Sequence, residues 1–192
     1  MASAMLKPVA LTALLGSLAL VGADSAGAQV QRPPPDSVIA WSPKPVKATA
    51  WAAPNKPHWK LADVLAKHRG QKSWREPIVR DRDFEATYVQ MAPGEKTKTQ
   101  FWPDNRVFWI VQDGEMRVTI EGQEPFVASK GFLVQVPYRV PYSIESVGDR
   151  PSLRFEVIQA GAAPLYPLTE TPTPVPGKTY VKVAFNGKGA YD

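Results

Sequence analysis

The sequence predicts an all-β fold: one antiparallel double-sheet jelly roll, preceded by a single short helix and flanked by proline-rich arms. Three observations predict it. Eight short segments rich in β-branched and aromatic residues recur at near-regular intervals between Phe84 and Gln159, each bounded by a turn signal. Prolines crowd both flanks, at 33–35, 43, 45, 54 and 57 before that stretch and at 164, 167, 172, 174 and 176 after it. With no cysteine, neither disulfides nor thiol chemistry can support the chain, while 44% hydrophobic residues and six tryptophans supply one core.

Residues 1–28 read as a secretory signal. Lys7 starts it, an apolar run follows from Val9 to Val21, and Ala26-Gly27-Ala28 offers a small-residue cleavage site before Gln29. The run falls short of the roughly 20 apolar residues that a membrane-spanning helix needs, so the mature chain is expected to start near Gln29, without a span, in the periplasm or outside the cell. Residues 29–57 form a proline-rich extended arm. Trp41, Trp51 and Trp59 punctuate the arm and its exit, and are expected to dock with buried indoles, since exposed indoles waste a large apolar surface.

His58–Arg69 has helical spacing, with Leu61, Val64, Leu65 and His68 on one side, Pro57 near the first turn and Gly70 as a C-terminal cap. Helix and barrel together occupy 58–160. The predicted strands are Phe84–Met91, Thr97–Trp102, Val107–Gln112, Glu115–Ile120, Gln123–Ala128, Phe132–Val136, Tyr142–Val147 and Leu153–Gln159. Asp113-Gly114, Glu121-Gly122 and Lys130-Gly131 mark turns between them. Residues 161–192 form a proline-rich extension in which Thr179–Phe185 adds an edge strand.

Gly94, Gly114, Gly131 and Pro137 fall at the spacing of the two cupin motifs, in the same order and with one hairpin between them. In that frame the stretch Gly94–Ser146 resembles the cupins. Where those motifs carry metal ligands, this chain carries Gln100, Trp102, Val107 and Tyr142; Arg139 stands in place of a motif glycine and Ser146 in place of an asparagine. The resemblance implies a double-stranded β-helix with an open cavity and a pairing of barrels into a homodimer. With the ligands replaced it implies no metal and no other cofactor.

Strand alternation places Lys98, Gln100 and Trp102 on one face and Val107, Trp109 and Val111 on one face of the next strand. If that face is the cavity, Tyr142 enters it beside Val140 and Ile144, and Arg139 stands at its mouth. An aromatic and apolar lining with a few polar groups suits a small organic ligand, aromatic or anionic. Filling of the same space by Trp102, Trp109 and Val107 is the plain alternative. For acid–base chemistry the candidates are Tyr142 and Asp104, the latter in the turn 103–106, with Glu145, Glu156 and Tyr88 behind them. Arg106 and Arg139 are candidate carboxylate binders.

The two histidines, His58 and His68, both precede the barrel and cannot build an imidazole-rich metal site. There is no Gly-x-Ser-x-Gly elbow and no phosphate-cradling loop. The net charge of +5 is scattered rather than clustered, and the signal removes one charge of each sign, Lys7 and Asp24, so nucleic acid is not an expected partner. Three readings result: a binding or accessory protein with a small-molecule ligand, a cofactor-independent isomerase, lyase or hydrolase using Tyr142 and a carboxylate, and a structural or assembly protein with a filled barrel.

Overall fold

In the computed structural model, which describes residues 35–38, 40, 41, 43, 44, 47 and 50–182, the apolar alternation of the sequence becomes two antiparallel sheets. The expected signal, residues 1–28, lies outside the described residues, as do residues 183–185 of the expected last strand. Its described part, 179–182, is not a strand. The chain divides into two units, Met1–Ala48 and Thr49–Asp192. The described residues of the first, which include Trp41, contain neither helix nor strand; everything below concerns the second. Among the described residues no helix is long and apolar enough to cross a membrane.

Helix α1 spans Leu61–Lys67, shorter at both ends than the spacing suggested. The strands are β1 (Trp74–Arg80), β2 (Phe84–Met91), β3 (Val107–Asp113), β4 (Glu115–Ile120), β5 (Phe126–Ser129), β6 (Leu133–Val136), β7 (Tyr142–Val147) and β8 (Ser152–Gln159). One sheet runs β1-β2-β8-β3-β6 and the other β5-β4-β7. Their facing sides enclose the main core, built on Val89, Met91, Trp102, Val107, Trp109, Val111, Met116, Val118, Val136, Tyr142 and Ile144. A second cluster lies on the outer face of the larger sheet, where Val64 of α1 packs with Trp74, Ile78 and Leu153.

Two expectations change. Strand β1 is unannounced in the sequence because its buried face reads Trp74, Glu76, Ile78, with a carboxylate in the middle, and because Pro77 breaks the pattern. Pro77 is tolerated because β1 is an edge strand, and the register slips beside it. Thr97–Trp102, expected as a strand, is instead an extended segment touching β7 through isolated bridges Lys96↔Glu145 and Gln100↔Tyr142. Three residues separate Thr97 from Gln100 while two separate Ile144 from Tyr142. The extra residue breaks the ladder, and Ile144 N donates to Thr97 Oγ1 at 2.9 Å rather than to the backbone.

The arm also departs from expectation. Trp51 is 67% exposed rather than docked. Trp59 is half-buried against the outer cluster, with Lys56 Nζ 3.7 Å from its ring centroid. In the helix, Val64 is buried but Leu65 is exposed. His68 caps α1, stacks on Trp74 at 4.4 Å and places Nε2 2.9 Å from Glu76 Oε2; Lys67 Nζ reaches Glu76 Oε1 at 2.7 Å. The buried carboxylate of β1 thus fastens the helix to the sheet.

The motif glycines behave as turn residues. Gly94, Gly114 and Gly131 all take positive φ, and at Gly114 a Cβ would meet Pro151 O at 2.5 Å, so both the angle and the space demand glycine.

Candidate functional site

Four of the positions that alternation assigned to a cavity converge as expected. Gln100 Nε2 and Trp102 Nε1 both donate to the Tyr142 hydroxyl, at 3.1 and 3.0 Å. Trp109 stacks on Tyr142 with centroids 5.7 Å apart, and Val107 and Val111 flank it along β3. What they form is packed core. Trp109 is 0% exposed and Tyr142 2%, and they line neither the concavity beside Glu115 and Arg150 nor the one beside Phe101 and Pro141. Where an open cavity was expected, two indoles and a phenol pack as core.

Lys98 does not join them. It is exposed, and its Nζ lies 3.7 Å from Glu170, because the bulged segment turns it outward before Gln100 enters the barrel. Asp104 is exposed on its turn, whereas Tyr142 is buried, so the expected acid–base pair is not assembled. Glu145 pairs with Arg117 at 3.3 Å, and Tyr88 packs on Phe155 on the outer face of the larger sheet. Burial, with the nearby Glu156 charge, pushes the Tyr142 phenol up to about 12, against the opposing pull of its two N–H partners. At neutral pH it stays protonated, which suits an acceptor in a core and not a general base.

Glu156, the remaining reserve carboxylate, does face the interior, together with an arginine that sequence reasoning missed. Arg154 is 3% exposed; its Nε donates to Glu156 Oε2 at 3.0 Å and its Nη1 points at Met91 Sδ at 3.1 Å. Arg75 Nη2 reaches Glu156 Oε1 at 2.9 Å from β1. Register explains the placement: Arg154 lies opposite Val89 and Val111, and Glu156 opposite Thr87 and Trp109, all on the inward face. Burial pushes the Glu156 carboxyl up, but Arg154 and Arg75 outweigh it and hold it below its ordinary 4.5. At Glu76 too, burial is outweighed, there by Lys67 and His68, and the result lies below 4.5.

Both carboxyls are therefore depressed in the folded state. A depressed carboxyl stabilises the fold above the unfolded value and loses that contribution as pH falls through the folded value. Stability to urea is expected to hold from neutral pH down to about 4.5 and to fall steeply below it. Glu76→Gln is expected to flatten part of that slope.

A concavity of about 470 Å³ lies outside the filled interior, at the end of the barrel where β4 ends and β7 begins. Phe101, Val140, Pro141 and Pro167 give it apolar walls, and Arg139 and Glu121 line it with charge. Distant pieces of chain build it: Phe101 and Leu165 exchange backbone hydrogen bonds at 2.9 and 2.8 Å, bringing the C-terminal extension against the 97–102 segment. Arg139 is the one non-glycine residue among those described with positive φ, at 66°. That geometry costs a side chain about 1–2 kcal/mol. It is held by Arg139 N donating to Trp102 O at 2.6 Å and by Nε donating to Pro103 O at 3.3 Å. Arg106, the other candidate carboxylate binder, is exposed and shares the Tyr138 ring with Arg139.

Residues 87–158 match the family model described as a cupin domain. A double-stranded β-helix protein from Klebsiella pneumoniae subsp. pneumoniae MGH 78578 aligns over 62% of this chain and 98% of its own, with a TM-score of 0.52 at 13% identity. The fold is that of a cupin. An RmlC-like cupin family protein from Methanocaldococcus jannaschii is 26% identical over 48% of this chain and 84% of its own, with a TM-score of 0.43. The cupin domain of Schizosaccharomyces pombe Cnp3 is 20% identical, with a TM-score of 0.42; this chain spans 64% of it, using 45% of its own length. No curated protein matches the sequence.

Metal is the group that a cupin fold implies, and the residues at the cupin ligand positions do not fit one. An indole N–H has no lone pair to give, valine has no donor atom, and the Tyr142 oxygen already accepts two N–H bonds and resists ionisation. Among the described residues no three His, Cys, Asp or Glu side chains cluster at ligand spacing.

Proposed function

We propose that this is an exported, metal-independent accessory protein of cupin fold, which binds a small organic molecule and does not convert it. The observation that carries this reading is the Tyr142 hydroxyl, locked between Gln100 and Trp102 where the cupin motif would hold a metal. A buried neutral phenol with two donors aimed at it has no basic lone pair to offer a substrate. The filled interior also supports a second reading, a purely structural or assembly protein, which differs in having no ligand at the barrel mouth. The sequence at 1–28 supports export, and a mature N-terminus at Gln29 is the expected result of N-terminal sequencing.

Tyr142→Phe tests the role of the hydroxyl. It keeps the ring and removes one acceptor, leaving the buried Trp102 N–H and the part-buried Gln100 N–H unanswered, so a stability loss of about 1–3 kcal/mol is expected in urea denaturation. Ligand affinity should stay unchanged. A variant that folds as stably as the wild type but loses turnover on some substrate by about a hundredfold would make Tyr142 catalytic and end the accessory reading.

A further inference from the structure

We propose that β6, an edge strand of the larger sheet, pairs with β6 of a second copy of this chain across a two-fold axis, joining two barrels edge to edge in a weak homodimer. The pairing is independent of whether the barrel mouth holds a ligand. Every sheet edge presents a row of backbone N–H and C=O groups, so an edge left bare is a site for another strand. Val134 and Val136 lie opposite Trp109 and Val107, and Val111 N donates to Phe132 O at 2.9 Å, so 132, 134 and 136 turn their backbone groups toward β3. By the two-residue alternation of an antiparallel ladder, Leu133 and Gln135 turn theirs away, toward an edge that pairs with no other strand among the described residues.

The other edges are guarded. On β1, Pro77 and a register shift interrupt the strand, and the Asn55 amide occupies the Arg80 backbone, its Nδ2 donating to Arg80 O at 2.7 Å and its Oδ1 accepting from Arg80 N at 2.8 Å. The outer edge of β7 meets the 97–102 segment through Gln100↔Tyr142, and β5 opens on Glu124 and Pro125. β6 carries none of these devices: its residues, Leu-Val-Gln-Val, hold no charge and no proline, and its register runs unbroken. A second copy is the fitting occupant because the strand is self-complementary. Set antiparallel about Val134, each Leu133 lies opposite the partner's Gln135, each such pair exchanging both of its N–H···O bonds, and no like charges meet although the chain carries a net +5. Leu133 is 60% exposed, Phe132 beside it 49%, and Phe108, opposite Gln135, 38%. On a scale of about 150–250 Å² for a large apolar side chain, these leave roughly 300 Å² of apolar surface bare on each copy. Doubled by the two-fold and given a polar rim in the usual proportion, the interface reaches about 1,000 Å², the lower end of what specific association needs. A dimer of that size is transient and dissociates in the micromolar range.

Sedimentation of the purified protein from about 1 to about 300 μM, with amide hydrogen exchange at both ends of that range, tests the pairing. The expected result is a reversible monomer–dimer equilibrium in which the amides of Leu133 and Gln135 exchange about threefold or more slowly in the concentrated sample, while those of Val134 and Val136 hold steady. Leu133→Lys sets a charge on the bare edge and is expected to weaken the dimer about tenfold or more. Gln135→Pro removes an N–H that β3 does not use, so the barrel keeps its own ladder, and it is expected to weaken the dimer by a similar factor. Phe84→Lys, exposed on β2 and separated from β6 by β8 and β3, should leave the dimer unchanged. A monomer throughout the range, a dimer that survives both edge variants, a dimer weakened equally by Phe84→Lys, or protection that appears on β5 instead of β6 would each overturn the assignment.

Discussion

Trp109→Ala is expected to destabilise the protein by about 3–5 kcal/mol, the range for truncating a fully buried large aromatic. The indole is 0% exposed, sits in the main core and stacks on Tyr142. Its removal loses the transfer energy of the ring and leaves a cavity that a β-sheet framework cannot readily collapse. Trp109 Nε1 meets no acceptor among the described residues, so the truncation forfeits no hydrogen bond and the loss is one of packing. Trp109→Phe, which keeps most of the ring and removes the orphaned donor, should therefore lose much less. Urea denaturation with unchanged m-values measures both. A loss below about 1 kcal/mol in Trp109→Ala would mean that the interior is not packed around this ring.

Arg154→Ala is expected to cost about 3–5 kcal/mol for a different reason. It leaves the Glu156 carboxylate inside the barrel with only Arg75, a mostly exposed partner, to offset its burial. The carboxyl should then rise above its depressed native value, and the variant should regain part of its relative stability as pH falls and Glu156 takes up a proton. Arg154→Met combined with Glu156→Gln removes both charges and should recover much of the loss. If Arg154→Ala were nearly neutral at pH 7, the pair would be solvated rather than buried.

Much of the frame was legible because turns have strict backbone requirements. Gly94, Gly114 and Gly131 declare positive φ in the sequence, and β3, β4 and β7 follow from the alternation between such turns. The inward face of Trp102, Trp109 and Tyr142 was legible for the same reason, since period-two alternation needs only a strand and a register. Whether that face encloses a space was not, because filling depends on how side chains from opposite sheets meet. Strand β8 misleads in a second way. Leu153 and Phe155 look like its core face, yet they join the outer cluster beneath α1, while Arg154 and Glu156 turn into the barrel. A central strand covered on both sides has no polar face to expose, and α1, which packs Val64 over the outer face of this sheet, supplies the second cover. Of the groove at the mouth only Arg139 was legible in the sequence, for Pro167 reaches Phe101 and Pro141 through the Phe101–Leu165 bridge.

The most direct test of the central claim, that the cupin ligand positions are a hydrogen-bonded core and not a metal site, is elemental analysis of the protein purified from its own cells and mildly chelated. The expected result is iron, manganese, nickel and zinc all far below one atom per chain. A near-equimolar transition metal that survives chelation, and whose removal abolishes function, would contradict the claim.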